Sequence, residues 1–137
     1  IYKIDMEILK NKTVLIADDD VDIITQVTIQ LKSFGMNVIA VESQKEAEAI
    51  METTKPDIAI FDLMMENLDS GFILSYKMKK KYPDVPVIIV TAVTADTGMM
   101  FGIDTTEEKN WIKADLYLEK GLRPEQLQME MTRLLTR

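Results

Sequence analysis

The chain has 137 residues, 47% of them apolar, enough for one compact domain with a proper core. Its 23 acidic and 16 basic residues give a net charge of -7, which argues against a nucleic-acid surface on this domain. Cysteine and histidine are both absent, which excludes disulfides, thiol catalysis, zinc-thiolate sites and an imidazole base, and leaves carboxylates, hydroxyls and lysine for any chemistry.

In chain order, the first twelve residues are broken by Lys3, Asp5, Glu7 and Lys10 and read as an N-terminal extension to a single domain whose core runs from 13 to 137. No apolar run approaches the length of a membrane span or a signal-peptide core, so a soluble, cytoplasmic protein without membrane contact is expected. Five short apolar runs follow, each suited to a parallel strand buried on both faces: Val14–Ala17, Val38–Val41, Ile58–Phe61, Val87–Val90 and Leu116–Leu118.

Amphipathic stretches separate the runs. Ile23, Val27, Leu31 and Phe34 share a helical face that begins after Asp20 to Asp22 and stops at Gly35. Ser43 and Glu46 form a capping-box pattern for a second helix that carries Ala47, Ile50 and Met51 inward. A third helix is predicted from about Gly71 to Tyr82, where Pro83 prevents continuation. Lys77 to Lys81, ending in three consecutive lysines, reads as a solvated helix end. From Ala92 to Ile103 no helical period is visible, and a long loop is expected before a short fourth helix capped by Asp104 or Thr105. Pro124 suits the first turn of a last helix with Leu127, Met131, Leu134 and Leu135 as its core stripe. Alternation of strand and helix calls for right-handed crossovers and a parallel sheet covered on both faces.

In such a sheet the ligand site lies at the carboxyl ends of the strands. The residues there are Asp18, Asp19 and Asp20 after the first run, Asp62 after the third, Thr91 after the fourth and Lys120 soon after the fifth. Crowded carboxylates either raise a pKa or hold a cation, and oxygen-only ligands favour a hard ion such as Mg²⁺. Asp19 and Asp62 would hold it, Lys120 would add a second positive charge, Thr91 a hydroxyl donor, and a carboxylate would be the nucleophile. As helix caps alone, three acids in a row exceed what one helix start requires.

Four segments, Val14–Asp20, Ile60–Met65, Val90–Ala92 and Ala114–Lys120, resemble in order and separation the signature segments of response-regulator receiver domains. The resemblance extends from about Thr13 to the end. It implies a flavodoxin-like α/β fold, a doubly wound five-stranded parallel sheet of order 2-1-3-4-5 with five helices. It further implies Asp62 as phosphoacceptor and a Mg²⁺ site formed by Asp18, Asp19, Asp62 and the Met64 backbone carbonyl. Lys120 would contact the phosphate, Thr91 would be the switch hydroxyl and Tyr117 the switch aromatic. Phosphorylation would draw in Thr91, let Tyr117 rotate inward and alter the surface of the fourth helix, fifth strand and fifth helix. The implied partners are a separate histidine kinase or phosphotransfer protein, with a phosphorylation-dependent homodimer or effector protein downstream. The chain ends with its last predicted helix and is read as a stand-alone regulator or a fragment of a longer protein.

The sequence departs from the family pattern at three places. Gly121 follows the lysine where proline, often in a cis bond, is usual; a cis bond before a non-proline residue costs about 3 kcal/mol, so a trans loop with glycine absorbing the change is expected. Glu66 replaces the usual proline after the phosphoacceptor, and Ser70 intervenes before Gly71, predicting a relaxed loop or an added charge near the site. The stretch between Thr91 and Lys120 is long for the family.

Three competing readings share this architecture. A haloacid-dehalogenase-like phosphatase needs a second Asp two residues after the nucleophile, where Met64 stands. A flavodoxin-like FMN binder needs a hydroxyl- and glycine-rich loop where the three aspartates stand. A pseudo-receiver, a protein-interaction module controlled without phosphate, is kept open by Gly121 and Glu66.

Overall fold

The computed structural model describes residues 7–92 and 114–137. The predicted loop from Ala92 to Ile103 and the helix after it lie outside the described residues, apart from Ala92 itself. The elements are β1 Thr13–Ala17, α1 Val21–Ser33, β2 Asn37–Val41, α2 Gln44–Thr53, β3 Ile58–Asp62, α3 Ser70–Lys81, β4 Val87–Thr91, β5 Leu116–Glu119 and α4 Pro124–Thr136. Every predicted apolar run lies inside a strand, and each strand extends it by one residue. The ladder needs only an extended backbone, so polar Thr13, Asn37, Asp62, Thr91 and Glu119 join it at the ends.

All strand pairs are parallel and the sheet order is β2-β1-β3-β4-β5, the order predicted. Period-two alternation sends Val14, Ile16, Ile58, Ile60 and Ile88 to one face, where Leu31 of α1 and Leu127, Met131 and Leu134 of α4 cover them. Leu15, Ala17, Ala59, Phe61 and Val87 point to the other, beneath Ala47 and Met51 of α2 and Leu74 and Met78 of α3. Among the described residues, two helices therefore cover each face. Leu9 is fully buried in the first cluster, so core packing begins before Thr13. A turn holds it there: the Asn11 N–H donates to Gly35 O at 2.8 Å and the Asn37 N–H to Lys12 O at 2.9 Å.

The caps follow the sequence closely. Asp20 is the N-cap of α1 and its carboxylate accepts from the N–H groups of Asp22 and Ile23. Ser43 Oγ accepts from Glu46 N at 3.0 Å, while the Glu46 carboxylate reaches back to the N–H of Glu42, one residue earlier than a standard capping box. Pro124 occupies the first turn of α4.

At the end of α3, Lys77, Lys80 and Lys81 are exposed, as predicted for a solvated helix end, but Lys79 is not. Lys79 forms a 2.7 Å ion pair with Asp115, both side chains mostly shielded from solvent. Asp115 also accepts from the N–H of Val87 at 2.8 Å and pairs with Arg137. Burial alone would raise the pKa of Asp115, but Lys79, the Val87 N–H and Arg137 outweigh it and hold the carboxyl below its ordinary value. The starts of β4 and β5 are thereby bound to the ends of α3 and α4. Among the described residues no helix is long and apolar enough to cross a membrane.

Candidate functional site: an acidic pocket with a lysine

The sheet order reverses between β1 and β3, and the crevice at their carboxyl ends is where an open α/β sheet places its ligand. Asp18 and Asp19 follow β1 directly and Asp62 is the last residue of β3. One oxygen from each of the three carboxylates lies within 4.8 Å of the others. Asp18 and Asp62 are buried, at 1% and 4% exposure, and Asp19 is open to solvent.

Lys120 enters from the end of β5. Its Nζ lies 3.2 Å from both Asp18 Oδ2 and Asp62 Oδ1. The backbone fixes this approach, because the Lys120 N–H donates to Thr91 O at 2.9 Å. Peptide bonds among the described residues are all trans, and Gly121 turns the chain with φ +90°. A Cβ at Gly121 would meet no atom within 4 Å, so the backbone angle and not space selects glycine there. The trans loop predicted from the missing proline is what the structure has, and the lysine reaches both carboxylates.

One monovalent cation does not balance three carboxylates. Burial, then the charge of Asp18, raise the pKa of Asp62 from 3.8 to about 7, against the opposing pull of Lys120. Lys120 responds in the opposite sense: burial lowers its pKa, but Asp62 and Asp18 outweigh burial and raise it. Asp18 Oδ1 accepts the N–H of Asp20 at 2.9 Å, whereas buried Oδ2 receives no aligned hydrogen bond. Three carboxylates sharing one lysine, in a chain with no histidine or cysteine, fit a hard divalent cation.

Thr91 is half-buried at the end of β4, in register with Glu119. Tyr117 lies in β5 opposite Ile89 and is 40% exposed, its ring edge-to-face with Phe72 at 6.4 Å. Burial of the remaining surface pushes its phenol up to about 12. Asp18, Asp19, Asp62 and Lys120 are thus drawn together, Thr91 is tied to Lys120 through the backbone, and Tyr117 stands on the edge strand.

The loop from Asp62 to α3 is tightly held. The Leu63 N–H donates to Val90 O and Leu63 O accepts from Gly71 N, at 2.9 and 2.8 Å. A Cβ at Gly71 would lie 2.7 Å from Asp62 O and 2.8 Å from Leu63 Cα, so only glycine lets α3 start against the end of β3. Glu66 does not relax this loop. Its carboxylate accepts from the N–H groups of Gln44 and Lys45, at 2.7 and 3.0 Å, across the gap to α2. That contact was not foreseen from the sequence; an acid in a loop opposite a capped helix start was its only trace.

A family model for the response regulator receiver domain matches residues 14–132. The alkaline phosphatase synthesis transcriptional regulatory protein PhoP of Bacillus subtilis is 27% identical over 127 residues, 93% of this chain and 50% of that protein. The phosphate regulon transcriptional regulatory protein PhoB of Pseudomonas aeruginosa is 27% identical over 128 residues, 92% of this chain and 52% of that protein. The chain thus spans about half the length of these curated relatives. Among solved structures, the receiver domain of the Francisella response regulator 1452 superposes with a TM-score of 0.75 at 27% identity, covering 93% of this chain and 98% of that one. With the predicted sheet order and the acidic pocket at its switch point, these matches establish that the chain belongs to the response regulator receiver domain family.

Proposed function

We propose that the chain accepts a phosphoryl group on Asp62 from a phosphohistidine donor, with Mg²⁺ in the acidic pocket, and that the modification alters the surface at β5 and α4. The observation that carries this reading is the pairing of a buried, electrostatically strained Asp62 with Asp18, Asp19 and Lys120 at the sheet's switch point.

Asp18, Asp19, Asp62 and the carbonyl of Met64 would hold the cation. When bound, Mg²⁺ supplies positive charge to the phosphoryl oxygens and keeps Asp62 ionised. The chain's own groups do the rest. An Asp62 oxygen forms the new P–O bond as the P–N bond of the donor breaks, and the electron pair of that bond stays on the imidazole nitrogen. Lys120, already 3.2 Å from Asp62 Oδ1, moves only slightly to reach a phosphoryl oxygen. Thr91 donates its hydroxyl to another, and the shortened distance draws the end of β4 inward. Because the Lys120 N–H is hydrogen-bonded to Thr91 O, that movement also pulls on the end of β5, and with it on the partly exposed Tyr117.

Domain limits follow from the same reading: a single receiver domain over 1–137, working in the cytoplasm with a histidine kinase or phosphotransfer protein. Acetyl phosphate with Mg²⁺, followed by intact mass, tests the chemistry. One phosphoryl adduct that needs Mg²⁺, disappears with EDTA and is absent from Asp62→Asn supports it. No adduct on the folded protein would favour an interaction module controlled without phosphate.

A further inference from the structure

We infer that Glu66 is a positioning residue for the cation site, holding the loop that carries the Met64 carbonyl by capping α2 from outside that helix; this rests on the reading of the pocket proposed above. The first turn of a helix leaves N–H groups without intrahelical partners. In α2 the N–H of Glu46 is met by Ser43 Oγ, and those of Gln44 and Lys45 are met by the two oxygens of Glu66.

The neighbouring residue doubles the link. Asn67 Nδ2 donates to Gln44 Oε1 at 3.1 Å, and Gln44 Nε2 donates to Glu48 Oε2 at 2.9 Å. Asn67 also closes a local turn, its N–H donating to Ser70 Oγ at 3.1 Å and its carbonyl accepting from Met65 N at 3.1 Å. Met64 therefore lies between two fixed points, Leu63 on β4 and α3, and Glu66–Asn67 on α2. The carboxylate meets the positive end of the α2 dipole, so the clamp needs the charge as well as the shape. Without it the Met64 carbonyl would lose its set position, and outer contacts of this kind commonly contribute ten- to a hundredfold to metal affinity.

The test compares Glu66→Ala, Glu66→Gln and Glu66→Asp with the unaltered chain. Mg²⁺ is titrated while the backbone amide signals of Asp19 and Asp62 are followed by NMR, and amide exchange is measured at Gln44 and Lys45. The Mg²⁺ midpoint is expected to rise about tenfold in the Ala and Gln variants and less in the Asp variant. The labelling rate with acetyl phosphate should fall at low Mg²⁺ and recover at saturation. Faster exchange at Gln44 and Lys45 with an unchanged Mg²⁺ midpoint would show a helix cap and nothing more, and would overturn the inference. Mg²⁺ binding without labelling of the unaltered chain would instead overturn the phosphoacceptor reading, and the shift of the midpoint would still decide the role of Glu66.

Discussion

Replacing Asp62 by Asn should make the metal-free protein more stable, by an amount that grows with pH. Asp62 ionises near 3.8 in an unfolded chain and near 7 in the fold, a difference of about 4 kcal/mol. Because the folded value is the higher, the fold gains from binding this proton, a gain fully present below pH 3.8 and lost as pH rises to about 7. Asn keeps the shape of Asp without the charge, leaving Lys120 paired with Asp18. Effects of shape and hydrogen bonding are the same at every pH, so the pH-dependent part isolates the charge. Between pH 5 and pH 8 the advantage of Asp62→Asn should widen by about 2 to 3 kcal/mol. In urea unfolding with EDTA this is a change of roughly 1 to 2 M in the separation of midpoints. Mg²⁺ at about a hundred times its dissociation constant should restore about 2.7 kcal/mol to the unaltered protein and much less to the variant. An advantage independent of pH, or equal stabilisation of both proteins by Mg²⁺, would refute the electrostatic account of the pocket.

Lys120→Gln leaves the buried carboxylates without their cation; NMR titration of the Asp62 carboxyl should show its pKa above the present value of about 7, and labelling by acetyl phosphate should be lost. Gly71→Ala forces a Cβ to within 2.7 Å of Asp62 O, and a loss of about 1 to 3 kcal/mol is expected in urea unfolding, with weaker Mg²⁺ binding because Asp62 itself shifts. Lys79→Met should cost about 2 kcal/mol at pH 7 by uncovering Asp115, whose side chain is only 13% exposed. Since the folded pKa of Asp115 is depressed, that contribution exists above 3.8 and disappears as pH falls through the lower folded value; unfolding curves at pH 7 and pH 3 distinguish the two.

The inner strands β1, β3 and β4 were legible because they are largely buried on both faces, whereas β2 and β5 at the edges are only partly buried. A run such as Ile58–Phe61 has few alternatives to a central parallel strand, and the position of Asp62 at its end follows from the run's length. Helix starts were legible where a cap is local, as at Asp20 and Ser43, because donor and acceptor lie within three residues. Contacts made across the fold were not. Glu66 reaches α2, and Lys79 reaches Asp115, only once crossovers have stacked α2, α3 and β5; in the sequence both look like ordinary surface charges. Leu9, among charged neighbours, gave no periodic signal, yet the turn before β1 folds it into the core. The electrostatic state of Asp62 likewise depends on burial and on the distance to Asp18 and Lys120, neither of which a motif specifies.

The central claim is that Asp62, and no other group, carries the phosphoryl. Borohydride reduces an acyl phosphate to the alcohol, so treating the labelled protein and mapping its peptides converts the modified residue to homoserine. Homoserine at position 62, formed only when Mg²⁺ and the phosphodonor were both present, is the predicted result. Homoserine at Asp18 or Asp19, or a phosphate on Thr91 that borohydride leaves untouched, would contradict it.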